Sequence, residues 1–315
     1  MAFYSSDSKL EVKQVSEQLN TIADFIRFSF SRFNGEPVFF GHGTDNSWDE
    51  AVGLVLQTLH LPWDFDKDLW ACKVTSQEHR SILEALDKRI NQRIPLPYIT
   101  NQAWFCDFPF YVDERVLIPR SPIAELIQNN FAPWAEYELE PPEFILDLCT
   151  GSGCIGIACA LIYEDADVDL LDISEDALQV ANKNITNFEL QNRVRTIQSD
   201  GFNALNQDYK GKYKLIVSNP PYVDKADFSM MPDEFKSEPE LGLVSGDDGL
   251  DLVRQILSQA ANFLTDDGLL VVEVGNSWVA LEDAYPDFPF TWVDFEFGGH
   301  GVFVIRADEL KQYAW

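Results

Sequence analysis

From residue 144 to residue 274 the chain repeats one unit: a short apolar run, a polar or glycine-rich break, then a helical stretch. The runs 144–148, 167–171, 194–198, 214–218 and 269–274 are rich in Leu, Ile and Val and have the length of strands. Helical stretches stand between them, notably 175–185 and 250–263. Strands joined through helices need crossover connections, and crossovers build a parallel sheet with helices on both faces. The end of the chain breaks the pattern. "FTWVDFEFGGHGVFVI", from Phe290, offers two aromatic strands around Gly298-Gly299-His300-Gly301 with no room for a helix, which predicts a closing antiparallel hairpin.

The first hundred residues are different in kind. Val15, Leu19, Ile22, Phe25 and Ile26 recur at helical spacing, as do Ala51, Leu54, Val55, Thr58 and Leu59, so residues 8–95 read as helical. Asn46 or Ser47 would cap the second helix, with Asp49 and Glu50 in its first turn; a third is predicted over 76–92. Residues 103–118, within "AWFCDFPFYVDERVLIP", are aromatic and β-branched and predict a hairpin turning at Asp113-Glu114. A helix should follow Ser121-Pro122, with proline at its first position. Residues 132–144, with three prolines and four glutamates, read as a connector. The expected organisation is a helical domain over 1–100, hairpin and connector over 101–142, and a sheet domain over 143–315.

A chain of 315 residues with 46% apolar content can bury one large core or two smaller ones. It carries 23 basic and 52 acidic residues, a net charge of −29. Such a surface repels phosphate backbones, so direct nucleic-acid binding is not expected. A basic protein partner would suit it, although acidity can also be a general adaptation to salt, cold or solubility. The five cysteines, 72, 106, 149, 154 and 159, are odd in number, and the four histidines are scattered at 42, 60, 79 and 300. No zinc-ligand spacing appears, so no metal is expected, and the thiols read as reduced residues of a cytoplasmic protein. The N-terminus has no apolar signal region, and the most apolar stretch, 144–163, contains Asp147 and three glycines, which argues against a membrane span.

"ILDLCTGSGCIGIACA", 145–160, runs from a strand through a glycine turn into a helix, and Gly151, Gly153 and Gly156 fit G-x-G-x-x-G. The next strand ends in Asp172, where an acid accepts both ribose hydroxyls; the other reading makes Asp172 or Ser174 a helix cap. A dinucleotide would bring a pyrophosphate to this turn, S-adenosylmethionine a sulfonium and an ammonium. Asp147, four residues before the first glycine, disfavours the former and helps the latter. Asp200 ends the third strand and either meets an adenine amino group or caps a loop.

The fourth strand runs into Ser218-Asn219-Pro220-Pro221-Tyr222. Proline forces Asn219 into an extended conformation, and neither proline has an N–H to offer. The turn therefore presents acceptors. The Asn219 side-chain oxygen and the Pro220 carbonyl can take both N–H bonds of one –NH2 group, while Tyr222 lays its ring on a planar group. This is a receptor for an amide or an aromatic amine. An amide nitrogen is a poor nucleophile because its lone pair is delocalised. Fixing both N–H bonds off the plane gives it tetrahedral character and turns the lone pair toward a methyl donor.

The segments "ILDLCTGSGCIGIA", "LLDISEDAL", "VSNPPYVD", "EPELGLVSGDDGLD" and "VLIPR" together resemble the protein-glutamine N5-methyltransferases over nearly the whole chain. The resemblance implies an α/β fold: a class I S-adenosylmethionine-dependent methyltransferase domain, Rossmann-like, with a mostly parallel seven-stranded sheet and a C-terminal antiparallel hairpin. It adds a helical N-terminal substrate-recognition domain and a β-hairpin linker. "FFGHGTDNSWDEAVGLVLQTLHLP", "RIPLPYIT" and "VLIPRSPIAELI" look like the branch that modifies the third protein of the large ribosomal subunit, a basic partner, rather than the branch that modifies the GGQ motif of release factors. The implied roles are Asn219, Pro220, Pro221 and Tyr222 on the glutamine amide, and Asp147, Thr150, Gly151, Ser152, Gly153, Asp172, Ile173, Asp200, Gly201 and Asn219 around the cofactor. Cys149 stands where many relatives have glycine, and Gly201 where the release-factor branch has an aromatic residue for adenine, leaving Phe202 as the candidate replacement. Arg120 either meets substrate or holds the linker, Glu238-Pro239 either closes over the pocket or is a plain loop, and His42 and His300 read as turn residues.

Three rivals remain. Adenine N6-methyltransferases use a similar Asn-Pro-Pro-aromatic turn, but would need a basic channel. A dehydrogenase leaves Asn219–Tyr222 without a purpose. A non-enzymatic ribosome-assembly factor leaves the whole site without one.

Overall fold

The computed structural model describes residues 18–137 and 139–313. The chain divides after Thr100 into two compact units. The first contains α1 (Ile22–Gly35), α2 (Ser47–Thr58), α3 (Ser76–Asn91) and the short α4 (Leu96–Thr100). Of the helical region expected over 8–95, residues 8–17, Val15 among them, lie outside the described residues. Capping fixes where the helices begin. Thr21 and Thr75 form capping boxes with Asp24 and Glu78, and the Asn46 side chain accepts from Asp49 N. Phe25, Ile26, Leu54, Val55 and Ile82 meet in the core of this unit. Arg89 and Glu50 are buried there as an ion pair; Thr44 also donates to Glu50, and Arg89 to the Phe39 carbonyl at 2.6 Å. Those extra bonds satisfy charges that burial would otherwise leave short of partners.

The second unit begins with a hairpin, β1 (Ala103–Phe105) and β2 (Phe108–Phe110). Its turn is Cys106-Asp107, not the expected Asp113-Glu114. Both turn residues have left-handed φ, 49° and 65°, the geometry of a two-residue hairpin loop. Asp113 makes a separate turn, accepting from Val116 N through its carbonyl and from Arg115 N through its side chain. Next comes α5 (Ile123–Gln128), with Pro122 one residue before its first position, at the cap.

The main sheet has seven strands: β3 (Phe144–Leu148), β4 (Asp167–Asp172), β5 (Val194–Gln198), β6 (Tyr213–Ser218), β7 (Leu264–Glu273), β8 (Thr291–Trp292) and β9 (Val302–Arg306). Their spatial order is β5-β4-β3-β6-β7-β9-β8. The first five are parallel, and β9 pairs antiparallel to both β7 and β8. The mostly parallel seven-stranded class I methyltransferase sheet is thus present, closing hairpin included. The hairpin is looser than expected, because residues 293–301 all lie between its strands. Strand β7 starts at Leu264, five residues earlier than the apolar run suggests, and its register against β6 shifts between Tyr213 and Leu215.

Helices α6 (Cys154–Ile162), α7 (Glu175–Asn187), α8 (Lys225–Met230), α9 (Glu240–Leu243), α10 (Asp251–Gln259), α11 (Trp278–Ala284) and α12 (Ala307–Gln312) complete this unit. Alternation along the strands feeds two cores. Ile145, Val168, Leu215 and Val217 pack with Ile157 and Ala158 of α6 on one face. Leu146, Leu148, Ile216 and Val272 pack with Val253, Ile256 and Leu257 of α10 on the other. The chain runs outward from β3 through β4 to β5, then returns to place β6 on the other side of β3. That reversal opens a crevice at the carboxyl ends of β3 and β6, where ligands bind in such sheets. Among the described residues no helix is long and apolar enough to cross a membrane.

Candidate active site

A cavity of about 390 Å³ occupies this crevice. Its first half is built on the turn after β3. Gly151 and Gly153 both have left-handed φ, and Gly153 caps α6. Cys149 adopts the same region, with φ 64°, which explains why glycine suits this position and puts strain on the thiol-bearing residue. The Asp172 carboxylate accepts from Gly151 N and from Ser174 N, both at 2.9 Å, so it joins the turn to the end of β4. Ser174 itself caps α7, accepting from Ala177 N. Burial raises the Asp172 pKa, against the backbone N–H groups of Ser174, Gly151 and Ile173, which favour its charge.

Thr150, Gly151, Ser152, Asp172, Ile173, Asp200, Gly201 and Asn219 all face the cavity. Two residues assigned to the cofactor do not. Asp147 is fully buried one layer behind the turn, where its Oδ2 accepts from Thr150 Oγ1 at 2.5 Å and Gly156 N at 2.9 Å. It therefore lies beneath the lining rather than in it. Its Oδ1 has no hydrogen-bond partner among the described residues, and burial pushes its pKa up to about 7. Gly153 also lies behind the lining; a Cβ there would come within 2.9 Å of Ile157 and 3.2 Å of Leu170. Phe202 does not reach the site either. It is buried and stacks on Phe263, with ring centroids 4.9 Å apart. Leu252 stands beside Gly201, and half-exposed Ile173 is another apolar residue of the lining.

These residues fit a nucleoside that carries no phosphate. An acid ends β4, another follows β5, apolar side chains stand between, and the two cations of the lining, Arg115 and Arg120, are already paired with Asp113 and Glu238.

The other half is built on Asn219-Pro220-Pro221-Tyr222 after β6. Ser218 Oγ donates to the Leu148 carbonyl at 2.7 Å, holding the end of β6 against β3. Asn219 is half-buried, and neither its side chain nor the Pro220 carbonyl hydrogen-bonds to any described residue. Two acceptors are thus left facing the cavity. Tyr222 is held from three sides: its hydroxyl donates to Glu273 Oε1 at 2.9 Å, its carbonyl accepts from Ser277 Oγ at 2.7 Å, and its ring lies on Gly275, where a Cβ would sit 2.5 Å from it. Burial and the neighbouring Glu273 carboxylate push the tyrosine pKa up, so its hydroxyl stays a donor.

Arg120 lines the cavity and pairs with Glu238 at 2.5 and 2.8 Å. Glu238 Oε1 also accepts from Ile118 N at 3.0 Å. Of the two readings for Arg120, the geometry supports holding the linker. Pro239 and residues 241–246 form the rim. His300 bonds Asn276 outside the lining, and His42 is buried in the N-terminal unit.

Glu273, Ser121 and Ser199 also line the cavity and were not anticipated. For Glu273 there was a usable signal, an acid ending an otherwise apolar strand in "LLVVEVG".

The Methyltransferase small domain family model matches residues 137–235. The chain is 48% identical over 306 residues to a ribosomal protein uL3 glutamine methyltransferase from Francisella tularensis subsp. tularensis, covering 97% of this chain and 96% of that one. It is 48% identical over 297 residues to the protein of the same name from Neisseria meningitidis serogroup B, covering 94% and 96%.

Proposed function

The chain belongs to the ribosomal protein uL3 glutamine methyltransferases, and on that premise we propose that it methylates the side-chain amide nitrogen of a glutamine in uL3. The observation that carries the reading is the pair of unengaged acceptors, Asn219 Oδ1 and the Pro220 carbonyl, at the carboxyl edge of β6 beside Tyr222. A primary amide has two N–H bonds to give, and these acceptors take one each. The Tyr222 ring, fixed by Glu273, Gly275 and Ser277, lies flat on the amide and limits it to one plane.

The cofactor, S-adenosylmethionine, supplies a methyl group made electrophilic by its sulfonium. Asp172 would hold its ribose, Asp200 its adenine amino group, and Ile173 and Leu252 the faces of its base. Thr150, Gly151 and Ser152 would border its amino-acid portion, with Asp147 supporting the turn from behind. On the substrate side, fixed acceptors that hold both N–H bonds off the amide plane would weaken resonance at nitrogen and turn its lone pair toward the methyl donor. Positioning of this kind supplies up to about 7–11 kcal/mol in the best intramolecular models. The alkylated nitrogen becomes acidic and loses its proton to solvent, so no strong base is required beforehand. We assign substrate recognition to the helical unit before residue 101, where Trp48 and Trp63 remain about half exposed.

The test is incubation of the enzyme with S-adenosylmethionine and either uL3 or a release factor, followed by tandem mass spectrometry. Methylation of one glutamine in uL3 alone is expected. Methylation of the release factor alone would keep the chemistry and overturn the substrate. Methylation of neither would overturn both.

A further inference from the structure

Glu273 is the last residue of β7, at the same edge of the sheet as Asn219. Its side chain is buried yet borders the cavity, and among the described residues it forms no ion pair. Arg120 and His300 favour its charge from beyond ion-pair distance, but a buried carboxylate without an ion-pair partner is unfavourable unless hydrogen bonds compensate it. Two do. Tyr222 Oη donates to Oε1 at 2.9 Å, and Ser121 Oγ donates to Oε2 at 2.5 Å. The two donors come from separate segments of the lining. Tyr222 belongs to the turn after β6, whereas Ser121 ends the segment 115–121, every residue of which lines the cavity. Ser121 Oγ also accepts from Ile123 N at 3.2 Å, which ties this wall to the start of α5.

An apolar residue here would pack as well with the β-sheet and would need no compensation. A carboxylate adds one thing: two acceptor oxygens at a fixed separation, which define the distance between the groups that donate to them. We propose that Glu273 is a positioning residue for methyl transfer, clamping Tyr222 and Ser121 so that the tyrosine ring and the 115–121 wall hold the substrate amide between them. The proposal rests on the reading that Asn219–Tyr222 receive that amide. Glu273 touches no reacting atom; it acts through Tyr222.

The clamp predicts coupling. Glu273→Gln preserves shape and burial but offers one acceptor and one donor group where two hydroxyl donors meet. The expected result is a loss of about 100-fold in kcat, the scale of a misplacement near 1 Å, with cofactor Kd within about threefold of wild type. Tyr222→Phe and Ser121→Ala each remove one of the bonds and should each lower kcat. Combining either with Glu273→Gln should cost little more than the worse single change, because the clamp is already broken. A residue that only stabilised the fold would lower cofactor affinity and Tm along with kcat, and that pattern would overturn the proposal. So would fold losses that multiply in the double variants. If Glu273→Gln does not fold, the Tyr222→Phe/Ser121→Ala pair reads the same coupling: less-than-multiplicative loss supports the clamp, and independent losses overturn it. Wild-type enzyme that leaves uL3 unmethylated overturns both the function and the clamp. Active wild type with an equally active Glu273→Gln overturns the clamp alone.

Discussion

At the cofactor half of the cavity, the glycine turn and the strand ends are held mostly by backbone. Asp172 reads two backbone N–H groups, Asp147 reads Gly156 N, and the partners lie close in sequence or on neighbouring strands. At the reacting half, the walls are held by side chains reaching across the chain: Arg120 to Glu238, Ser121 to Glu273, Tyr222 to Glu273. The first half is a property of the strand–turn–helix unit itself. The second exists only once the whole sheet domain has assembled. Cofactor binding and amide positioning should therefore be separable by mutation.

The largest expected effect is at Asn219. Asn219→Ala removes one of two acceptors for the amide and should lower kcat about 10²–10³-fold, as loss of a single transition-state hydrogen bond does elsewhere, with cofactor Kd within about threefold. Steady-state kinetics with isothermal titration calorimetry reads both; a parallel loss of cofactor affinity would break the division between the halves. Next is the Arg120–Glu238 pair. Removing Arg120 leaves a carboxylate whose side chain is fully buried, so Arg120→Ala should destabilise the protein by about 2–3 kcal/mol, below the 3–5 of fully buried pairs because the arginine is partly exposed. The double variant Arg120→Ala/Glu238→Gln should recover part of that in thermal denaturation, and no recovery would show that the pair is not the source. Smaller again, Asp172→Ala should weaken the cofactor about tenfold, near 1.4 kcal/mol, and leave turnover at saturating cofactor within a few-fold.

Asp147 adds a pH dependence of stability that leaves the substrate side untouched. Burial raises its pKa from 3.8 to about 7, so between those values the native state keeps a proton that the unfolded chain has lost. The stability this confers is complete below about pH 4 and is lost as pH rises through about 7. Cofactor-free wild type should lose Tm relative to Asp147→Asn between about pH 5 and about pH 8. A constant difference between the two would show that the carboxyl is ionised throughout.

The same contrast explains what could be read before the structure. Strands β3 and β5 match the sequence at both ends, since Phe144–Leu148 and Val194–Gln198 are continuous apolar or alternating runs between clear breaks. Asp172, Gly151 and Asn219 were legible because short local patterns place them. The start of β7 was not, because Thr265-Asp266-Asp267 continues the strand through an irregular register that has no apolar signature. The hairpin turn at Cys106-Asp107 was missed because left-handed φ there is imposed by pairing, whereas sequence signals for it centre on Asn-Gly and Asp-Gly. Asp147 and Phe202 were placed one layer too far out. The element boundaries were right, but depth beneath a lining is set by how neighbouring elements pack, which a local pattern does not encode. Glu273 was half legible: an acid ending an apolar strand marks the position, but its donors come from distant parts of the chain, and no local pattern encodes them.

The central claim is that Asn219 and Pro220 receive a carboxamide. Its most direct test is a crystal structure of the protein with S-adenosylhomocysteine and a glutamine-containing uL3 peptide. The amide nitrogen should lie about 3 Å from both Asn219 Oδ1 and the Pro220 carbonyl oxygen, against the Tyr222 ring. An amide nitrogen bound elsewhere in the cavity, with Asn219 still unengaged, would contradict it.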